Sequence, residues 1–236
     1  HQDGSSHLIA ASIPNCRAYD PCFGYELAAI VEDGARRMLE AQEDVFYYLT
    51  VANENYAHPA MPQGAREGIL RGMYSFRKSE KAVVQLLGSG PILREVIEAA
   101  ELLEKDWKIS AGVWSVTSFS ELRRDGMKAE RATRFGQPQK SWVAQCLENT
   151  EGPVIAASDY VSAVADLIRP YVERKYVALG TDGFGRSDTR AALRKFFEVD
   201  ARHIAVAALA ALDASLVKSA LHRYGIDPVA QPPWER

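Results

Sequence analysis

The stretch AVVQLLGSGPILREVIEAAELLEK (82–105) contains the pattern that decides the fold. Its first seven residues form an apolar run typical of a strand that is buried on both faces. After Gly-Ser-Gly, apolar side chains recur at helical spacing from Pro91 to Lys105, which predicts an amphipathic helix. A buried strand that turns into a helix is the repeating unit of a parallel sheet covered by helices.

The same alternation continues on both sides of this unit. On the N-terminal side we predict a helix over 25–40, a buried strand over 45–51 and a loop over 53–64. Towards the C-terminus the predicted strands span 113–118, 153–158 and 176–180, and the predicted helices span 119–131, 142–149, 161–172, 187–199 (capped by Ser187 or Asp188), 202–213 and 215–224. The sequence therefore predicts an α/β fold with a mostly parallel sheet and helices on both faces.

The composition of the 236 residues is that of a globular protein with a full core, with 47% hydrophobic and 25% charged residues. A net charge of -3 offers no basic face for nucleic acid or an anionic membrane, so we predict neither as a partner. No apolar run approaches the roughly 20 residues of a membrane span. Three cysteines, an odd and small number, favour a reducing compartment, and we expect a cytoplasmic protein.

The loop at 53–64 is the best candidate for a domain boundary. The residues before it contain one clear strand, which cannot close a sheet of its own. We therefore interpret residues 1–62 as the C-terminal part of a larger domain, 63–80 as a linker and 81–236 as a complete α/β domain.

The first candidate site is HQDGSSH (1–7), which has two histidines six positions apart. His1 and His7 are suited to carry protons near neutral pH. The alternative is a polar loop in which Asp3-Gly4 forms a turn and the histidines are incidental. Metal binding is disfavoured, because this spacing is not a usual ligand pattern and no third ligand is evident.

Three other features have an ordinary structural interpretation beside a functional one. GTDGFGRSDTR (180–190) could cradle phosphate, but we favour a tight strand-to-helix turn in which Arg186 pairs with Asp182 or Asp188. GSGPI (88–92) could bind an anion at the helix N-terminus, but such turns more often only pack a helix against a strand. Glu54 follows a predicted strand, where sites collect, yet a plain loop acid is the simpler interpretation.

Five stretches follow one another in an order that resembles one known family. They are HQDGSSHLIAASIPNCRAYDP, FYYLTVANENYAHPAMPQGAREGI, VQLLGSGPILREV, VWSVTSFSELRRDG and ALGTDGFGRSDTRAALRKFFEVD. Together they resemble the C-terminal third of the homodimeric bacterial pyruvate dehydrogenases, the thiamine-dependent decarboxylating component of the pyruvate dehydrogenase complex. The likeness runs from His1 to about Tyr224.

The resemblance implies a fold and an activity. Residues 1–62 would be the end of the domain that holds the cofactor pyrimidine, and residues from about 80 a transketolase-type C-terminal domain. Members decarboxylate pyruvate with thiamine diphosphate and Mg²⁺, and they pass the two-carbon unit to the lipoyl group of the acetyltransferase component. The cofactor lies at a dimer interface. The residues that hold the diphosphate and Mg²⁺ would precede His1, so we assign no cofactor-binding residue and no metal ligand to the chain.

The same resemblance implies two catalytic residues. His1 falls on the family's active-site histidine, which faces pyruvate, and His7 falls on a second histidine of that loop. An imidazole beside the substrate carbonyl can stabilise or protonate the charge that develops on its oxygen. Asp3 and Gly4 would shape the turn. Ser5 stands where members often have a third histidine, so the full set of histidines is not present here.

Three further expectations follow. We expect the chain alone to bind the cofactor poorly and to be inactive. A substrate other than pyruvate, a different 2-oxo acid, stays open because of Ser5. The domain from about residue 80 could also serve only dimerisation and assembly, since both candidate catalytic residues lie outside it.

Overall fold

Strand β4 (Val84–Gly88) and helix α4 (Ile92–Trp107) form the strand–turn–helix unit that the sequence predicts. They lie at the centre of the computed structural model, which describes residues 3–236. All five residues of β4 are buried. A strand buried on both faces needs a layer of helices on each side, and the structure supplies both layers.

A five-stranded sheet is built around β4, in the order β3-β5-β4-β6-β7. Strands β5 (Ala111–Val116), β6 (Val154–Ala157) and β7 (Tyr176–Leu179) continue the sheet in parallel. The edge strand β3 (Met73–Arg77) pairs with β5 in the antiparallel sense. The predicted α/β class with a mostly parallel sheet is confirmed.

Alternate residues along the strands belong to two separate hydrophobic cores, one on each face of the sheet. Leu86 and Ile155 belong to a core shared with α4 and α9, whereas their neighbours Leu87 and Ala156 belong to a second core that includes residues of α5, α6 and α7. This alternation is the consequence of side chains pointing to opposite faces of a strand. The remaining helices of the described part are α1 (Ser6–Ser12), α2 (Gly24–Ala35), α3 (Ala65–Arg71), α5 (Phe119–Arg134), α6 (Trp142–Leu147), α7 (Ser162–Ala165), α8 (Arg190–Phe196), α9 (Ala201–Leu212) and α10 (Val217–Tyr224).

A second, two-stranded sheet precedes the larger one. Strands β1 (Cys16–Tyr19) and β2 (Phe46–Leu49) are parallel, with Cys16 opposite Phe46. Strand β1 was not predicted from the sequence, and the strand over 45–51 was predicted to be buried. That prediction of burial is wrong, since Phe46 is 44% exposed and the rest of β2 is only half-buried. Within the described residues β2 has β1 alone as a neighbour, so less of its surface is covered.

The segment 63–80, predicted as a linker, contains regular structure. Helix α3 leads through Gly72 into β3, and Gly72 has the left-handed φ of 106° that favours glycine. A helix of seven residues is too short to show a clear period in the sequence. Because β3 belongs to the five-stranded sheet, the linker prediction is wrong for this part. The predicted domain ranges 1–62 and 81–236 stay a prediction.

Two predicted helix ends also differ. The helix over 161–172 is a four-residue α-helix followed by a 3₁₀ segment, Asp166–Tyr171, that contains Pro170. Proline has no N–H for the α-helical ladder, which explains the tighter turn. Helix α8 is capped by Thr189, whose side chain accepts from the Ala192 N–H, and not by Ser187 or Asp188.

Glu26 joins the small sheet to the large one. It is fully buried at the start of α2. One carboxylate oxygen accepts from the backbone N–H groups of Cys22 and Phe23, at 2.6 and 2.9 Å. The other accepts from the hydroxyls of Tyr74 on β3 and Ser115 on β5, at 2.7 and 2.6 Å. Burial raises the pKa of this carboxyl, although its four donors oppose the rise.

We predict that Glu26→Ala lowers the free energy of unfolding by at least about 3 kcal/mol, because four buried donors lose their acceptor. The matched control is Glu32→Ala on the same helix, where the glutamate is largely exposed and pairs with Arg66 at 2.9 Å. Such a surface pair is worth about 1 kcal/mol or less. Urea unfolding of both variants measures the difference, and equal losses would contradict the structural role of Glu26.

Candidate functional site

A cleft of about 530 Å³ lies at the carboxyl edge of the large sheet. Asp3 and Gly4 form part of one wall, and Asp159, which follows β6, forms another part. The rest of the lining comes from the loop after β7 and from α8. Ligands of open α/β sheets bind beyond the carboxyl ends of the strands, so this edge is the candidate site.

The N-terminal loop is held in place by its own polar groups. Asp3 accepts from the N–H groups of Ser5 and Ser6, at 3.0 and 2.9 Å, and these bonds lower the pKa of Asp3 against the effect of its partial burial. The carbonyl of Gly4 accepts from the Val161 N–H at 2.9 Å. Asp3 and Gly4 therefore shape the turn into α1. The proposed catalytic residue His1 lies outside the described residues.

His7 lies in the first turn of α1 and not in a polar loop. Its side chain packs against the rings of Tyr160 and Tyr48, with centroids 4.5 and 5.5 Å away, and the residue is only 5% exposed. Nε2 lies 3.0 Å from the hydroxyl of Thr50. Burial lowers the pKa of His7 to about 4, with a small opposing effect of Asp3. The ring is therefore neutral at pH 7.

Asp20 stands behind His7 and was not identified from the sequence as a site residue. It follows β1 and is buried. Its carboxylate accepts from the Thr50 hydroxyl at 2.7 Å and from the Ser89 hydroxyl at 3.0 Å. Burial raises its pKa to about 7, and the two hydroxyls oppose the rise. Asp20, Thr50 and Ser89 are far apart in the chain, so no local pattern could have grouped them.

The turn GSGPI receives an anion from the chain itself. The Gly90 N–H donates to the Asp20 carbonyl at 2.9 Å, and Ser89 bonds its carboxylate. Gly90 has φ of 48°, and a Cβ placed there would lie 2.4 Å from a carboxylate oxygen of Asp20. The glycine is thus required by the close approach of Asp20. The turn therefore has a packing role, as favoured from the sequence. The group that packs against it is the Asp20 side chain.

The segment GTDGFGRSD is an irregular loop between β7 and α8 that lines the cleft and not a tight turn, and its predicted ion pair is wrong. Asp182 accepts from the Ser162 N–H at 3.2 Å, and Asp188 accepts from the Thr189 N–H at 2.7 Å. The guanidinium of Arg186 lies over the Phe196 ring, 4.1 Å from its centroid, and no ion pair joins it to either aspartate in residues 3–236. Both aspartates already serve backbone donors, which leaves the ring face to Arg186.

Glu54 is more than a loop acid. Its side chain is 16% exposed and pairs with Arg94 at 2.7 Å and with Arg194 at 2.8 Å. Arg190 lies 3.6 Å away on the same face of α8. The arginines lower the pKa of Glu54 despite its partial burial. This network ties the irregular segment after β2 to α4 and α8, beside the cleft.

No group of three or more His, Cys, Asp or Glu side chains that could hold a metal ion occurs in residues 3–236. No helix in this part of the chain is long and apolar enough to cross a membrane. The three cysteines, Cys16, Cys22 and Cys146, are free thiols.

Two family profiles match the chain. One, described as the pyruvate dehydrogenase E1 component middle domain, matches residues 1–59. The other, described as the transketolase-like TK C-terminal domain, matches residues 72–200, which is more than half of the chain. The chain belongs to the transketolase-like C-terminal domain family. Strands β3 to β7 of this transketolase-like domain all lie within the second match.

Relatives and solved structures agree with this membership. The pyruvate dehydrogenase E1 component of Pseudomonas aeruginosa is 54% identical over 99% of the chain, and that of Escherichia coli K12 is 48% identical over 96%. The resemblance to this family is thereby confirmed. The transketolase of Campylobacter jejuni has the same fold, with a TM-score of 0.64 at 19% identity over 89% of the chain and 28% of that structure. The chain spans only 27–28% of the length of the two E1 relatives.

We predict that His7→Gln changes how stability depends on pH. The unfolded chain binds the His7 proton with the ordinary pKa of 6.5, whereas the folded chain binds it only near pH 4. The free energy of unfolding due to His7 therefore rises as the pH rises from about 4 to about 6.5, by about 3 kcal/mol at most. The glutamine variant should lack this rise.

Urea unfolding of both proteins at pH 4.5 and pH 7 measures the effect. The quantity to compare is the difference between wild type and variant at each pH. The raised pKa of Asp20 acts in the opposite direction, since its contribution is lost as the pH rises through about 7, but it is common to both proteins. A difference that is the same at both pH values would contradict a depressed pKa at His7.

Proposed function

We propose that the chain is the C-terminal part of a pyruvate dehydrogenase decarboxylating component. Its reaction is the oxidative decarboxylation of pyruvate with thiamine diphosphate and Mg²⁺, followed by reductive acetylation of the lipoyl group of the acetyltransferase component. The observation that carries the proposal is the 54% identity to such a component over 99% of the chain. The position of Asp3 and Gly4 in the cleft at the carboxyl edge of the sheet supports it.

The residues of this chain would orient substrate and move protons. Thiamine diphosphate supplies the electron sink that decarboxylation requires. His1 would face pyruvate and stabilise or protonate the carbonyl oxygen as it gains charge. His7, which is neutral at pH 7, would act as a base or as a neutral hydrogen-bond donor and not as an imidazolium. The ligands of the diphosphate and Mg²⁺ would come from residues other than the described ones.

The assembly is also part of the proposal. We propose a homodimer in the cytoplasm, a compartment in which three free thiols stay reduced. Domains 1–62 and 81–236 would be the end of the pyrimidine-binding domain and the transketolase-type C-terminal domain. A role of domain 81–236 in dimerisation and assembly alone is an alternative that is compatible with this proposal. A truncation before Lys78 is a poor test of it, because that cut removes the edge strand β3 and uncovers β5.

We predict that His1→Ala slows pyruvate decarboxylation by about 10²–10⁴-fold in the native polypeptide that carries this chain, the usual contribution of a positioned acid–base group. The assay is pyruvate-dependent reduction of an artificial electron acceptor with thiamine diphosphate and Mg²⁺. Circular dichroism controls for folding. Activity within twofold of wild type would refute the role of His1, and a higher kcat/KM for 2-oxobutyrate than for pyruvate would change the substrate.

We also predict that the chain of 236 residues alone shows no micromolar affinity for thiamine diphosphate with Mg²⁺. The reason is that, by the resemblance to the pyruvate dehydrogenase family, the ligands of the diphosphate and Mg²⁺ would come from other residues. Calorimetric titration of the folded chain measures this, with titration of the native polypeptide as the positive control. Micromolar binding to the chain alone would show that it carries the cofactor site itself.

A further inference from the structure

A continuous line of hydrogen bonds runs from Asp20 to His7. The Thr50 hydroxyl lies between them, 2.7 Å from a carboxylate oxygen of Asp20 and 3.0 Å from Nε2 of His7. Ser89 holds the second carboxylate oxygen at 3.0 Å. Asp20 and Ser89 are both buried, so water cannot replace these partners freely.

The direction of the Thr50 hydroxyl hydrogen determines which ring nitrogen of neutral His7 carries its hydrogen. A hydroxyl donates one hydrogen and accepts two, and an ionised carboxylate only accepts. The nearest acceptor is Asp20, the Tyr19 carbonyl lies at 3.3 Å, and the Tyr160 hydroxyl also bonds the Thr50 side chain. The Tyr19 carbonyl cannot donate to Thr50, and neither can the Asp20 carboxylate when it is ionised, at a pH above about 7. The Tyr160 hydroxyl can donate to Thr50, whose oxygen accepts two hydrogens. With its hydrogen directed to the carboxylate, Thr50 can only accept from His7, and Nε2 must then carry the ring hydrogen.

We propose that Asp20 is a positioning residue that acts through Thr50 to hold His7 in the neutral tautomer with its hydrogen on Nε2. The Nδ1 atom is then the basic nitrogen of the ring, and it forms no hydrogen bond with any residue in the range 3–236. The arrangement follows the logic of a carboxylate that orients a histidine, here with a threonine between the two. The hydrogen-bond arrangement itself does not depend on the proposed function. Only a catalytic use of Nδ1 rests on that function.

The packing around the ring supports a fixed orientation. The rings of Tyr160 and Tyr48 meet His7 edge-on at interplanar angles of 67° and 63°. A ring flip would exchange Nε2 for a carbon at Thr50 and would leave the hydroxyl without its donor. Asp20 itself cannot move away, because the turn at Gly90 encloses its carboxylate. The His7 ring and the Asp20 carboxylate are thus both held in a fixed position by the residues packed around them.

The first test is the tautomer of His7 in the chain, read from the ¹⁵N chemical shifts of its ring nitrogens at pH 8. The shifts distinguish a nitrogen that carries hydrogen from one that does not, and His7→Gln identifies the signals. We expect hydrogen on Nε2 in the wild type. Thr50→Val keeps the shape but removes the acceptor, so both tautomers should appear, and Thr50→Ser should restore the wild-type pattern.

Asp20→Asn gives the sharpest contrast. The amide can donate to Thr50, which frees the hydroxyl hydrogen for Nε2 and shifts the ring hydrogen to Nδ1. A wild type with hydrogen on Nδ1 overturns the proposal whether or not any variant folds. An unchanged tautomer ratio in folded Thr50→Val also overturns it.

Kinetics in the native polypeptide separate this proposal from the proposed function. Asp20→Asn should lower kcat for pyruvate by about tenfold or more, with little change in KM, and should cause no further loss in a His7→Gln background. Full additivity of the two losses overturns the link between Asp20 and His7. A native polypeptide without pyruvate activity would refute the proposed function, while the tautomer experiment still decides the role of Asp20.

Discussion

Two buried carboxyl groups, Asp20 and Glu26, are the constraint on which the arrangement of the chain depends. They bracket the turn between β1 and α2, and each ties this turn to the large sheet. Glu26 bonds a hydroxyl on each of β3 and β5, and Asp20 bonds the turn that follows β4. A buried carboxyl is costly unless its oxygens are bonded, so both sheets must stay in register with this turn.

The pattern of buried strands was readable in the sequence because it depends on local composition. A strand covered on both faces is mostly apolar, as in β4, where Gln85 is the one polar residue, and its following helix shows a 3.6-residue period. Strand β3 has no such signal, since Arg77 ends it at the exposed edge of the sheet. The antiparallel sense of β3 is decided by its pairing with β5, which lies nearly forty residues further along the chain, and not by its own residues.

The candidate site was readable only in part for the same reason. His7 was recognised through its motif, but its burial and neutral state come from Tyr48, Tyr160 and Thr50, which lie on other elements. Thr50 belongs to no motif with an assigned role, and Ser89 was considered only as part of the turn GSGPI. Glu54 was underestimated because its arginine partners are 40 and 140 residues away. Motifs identify residues, whereas pKa values and partners depend on the fold.

One basic group, His7, and one acidic group, Asp20, lie behind the cleft, and the pKa of each is shifted in the direction that favours its neutral form. The pKa of His7 falls to about 4, and that of Asp20 rises to about 7, because both groups are buried. A buried ion pair between them would need both charges, and the structure instead places a neutral hydroxyl between them. Through the direction of the Thr50 hydroxyl hydrogen, the Asp20 carboxyl therefore determines the tautomer of the His7 ring and does not stabilise an imidazolium. Since His7 stays neutral, any positive imidazole that faces substrate at neutral pH has to come from another residue, and the proposed residue for that task is His1.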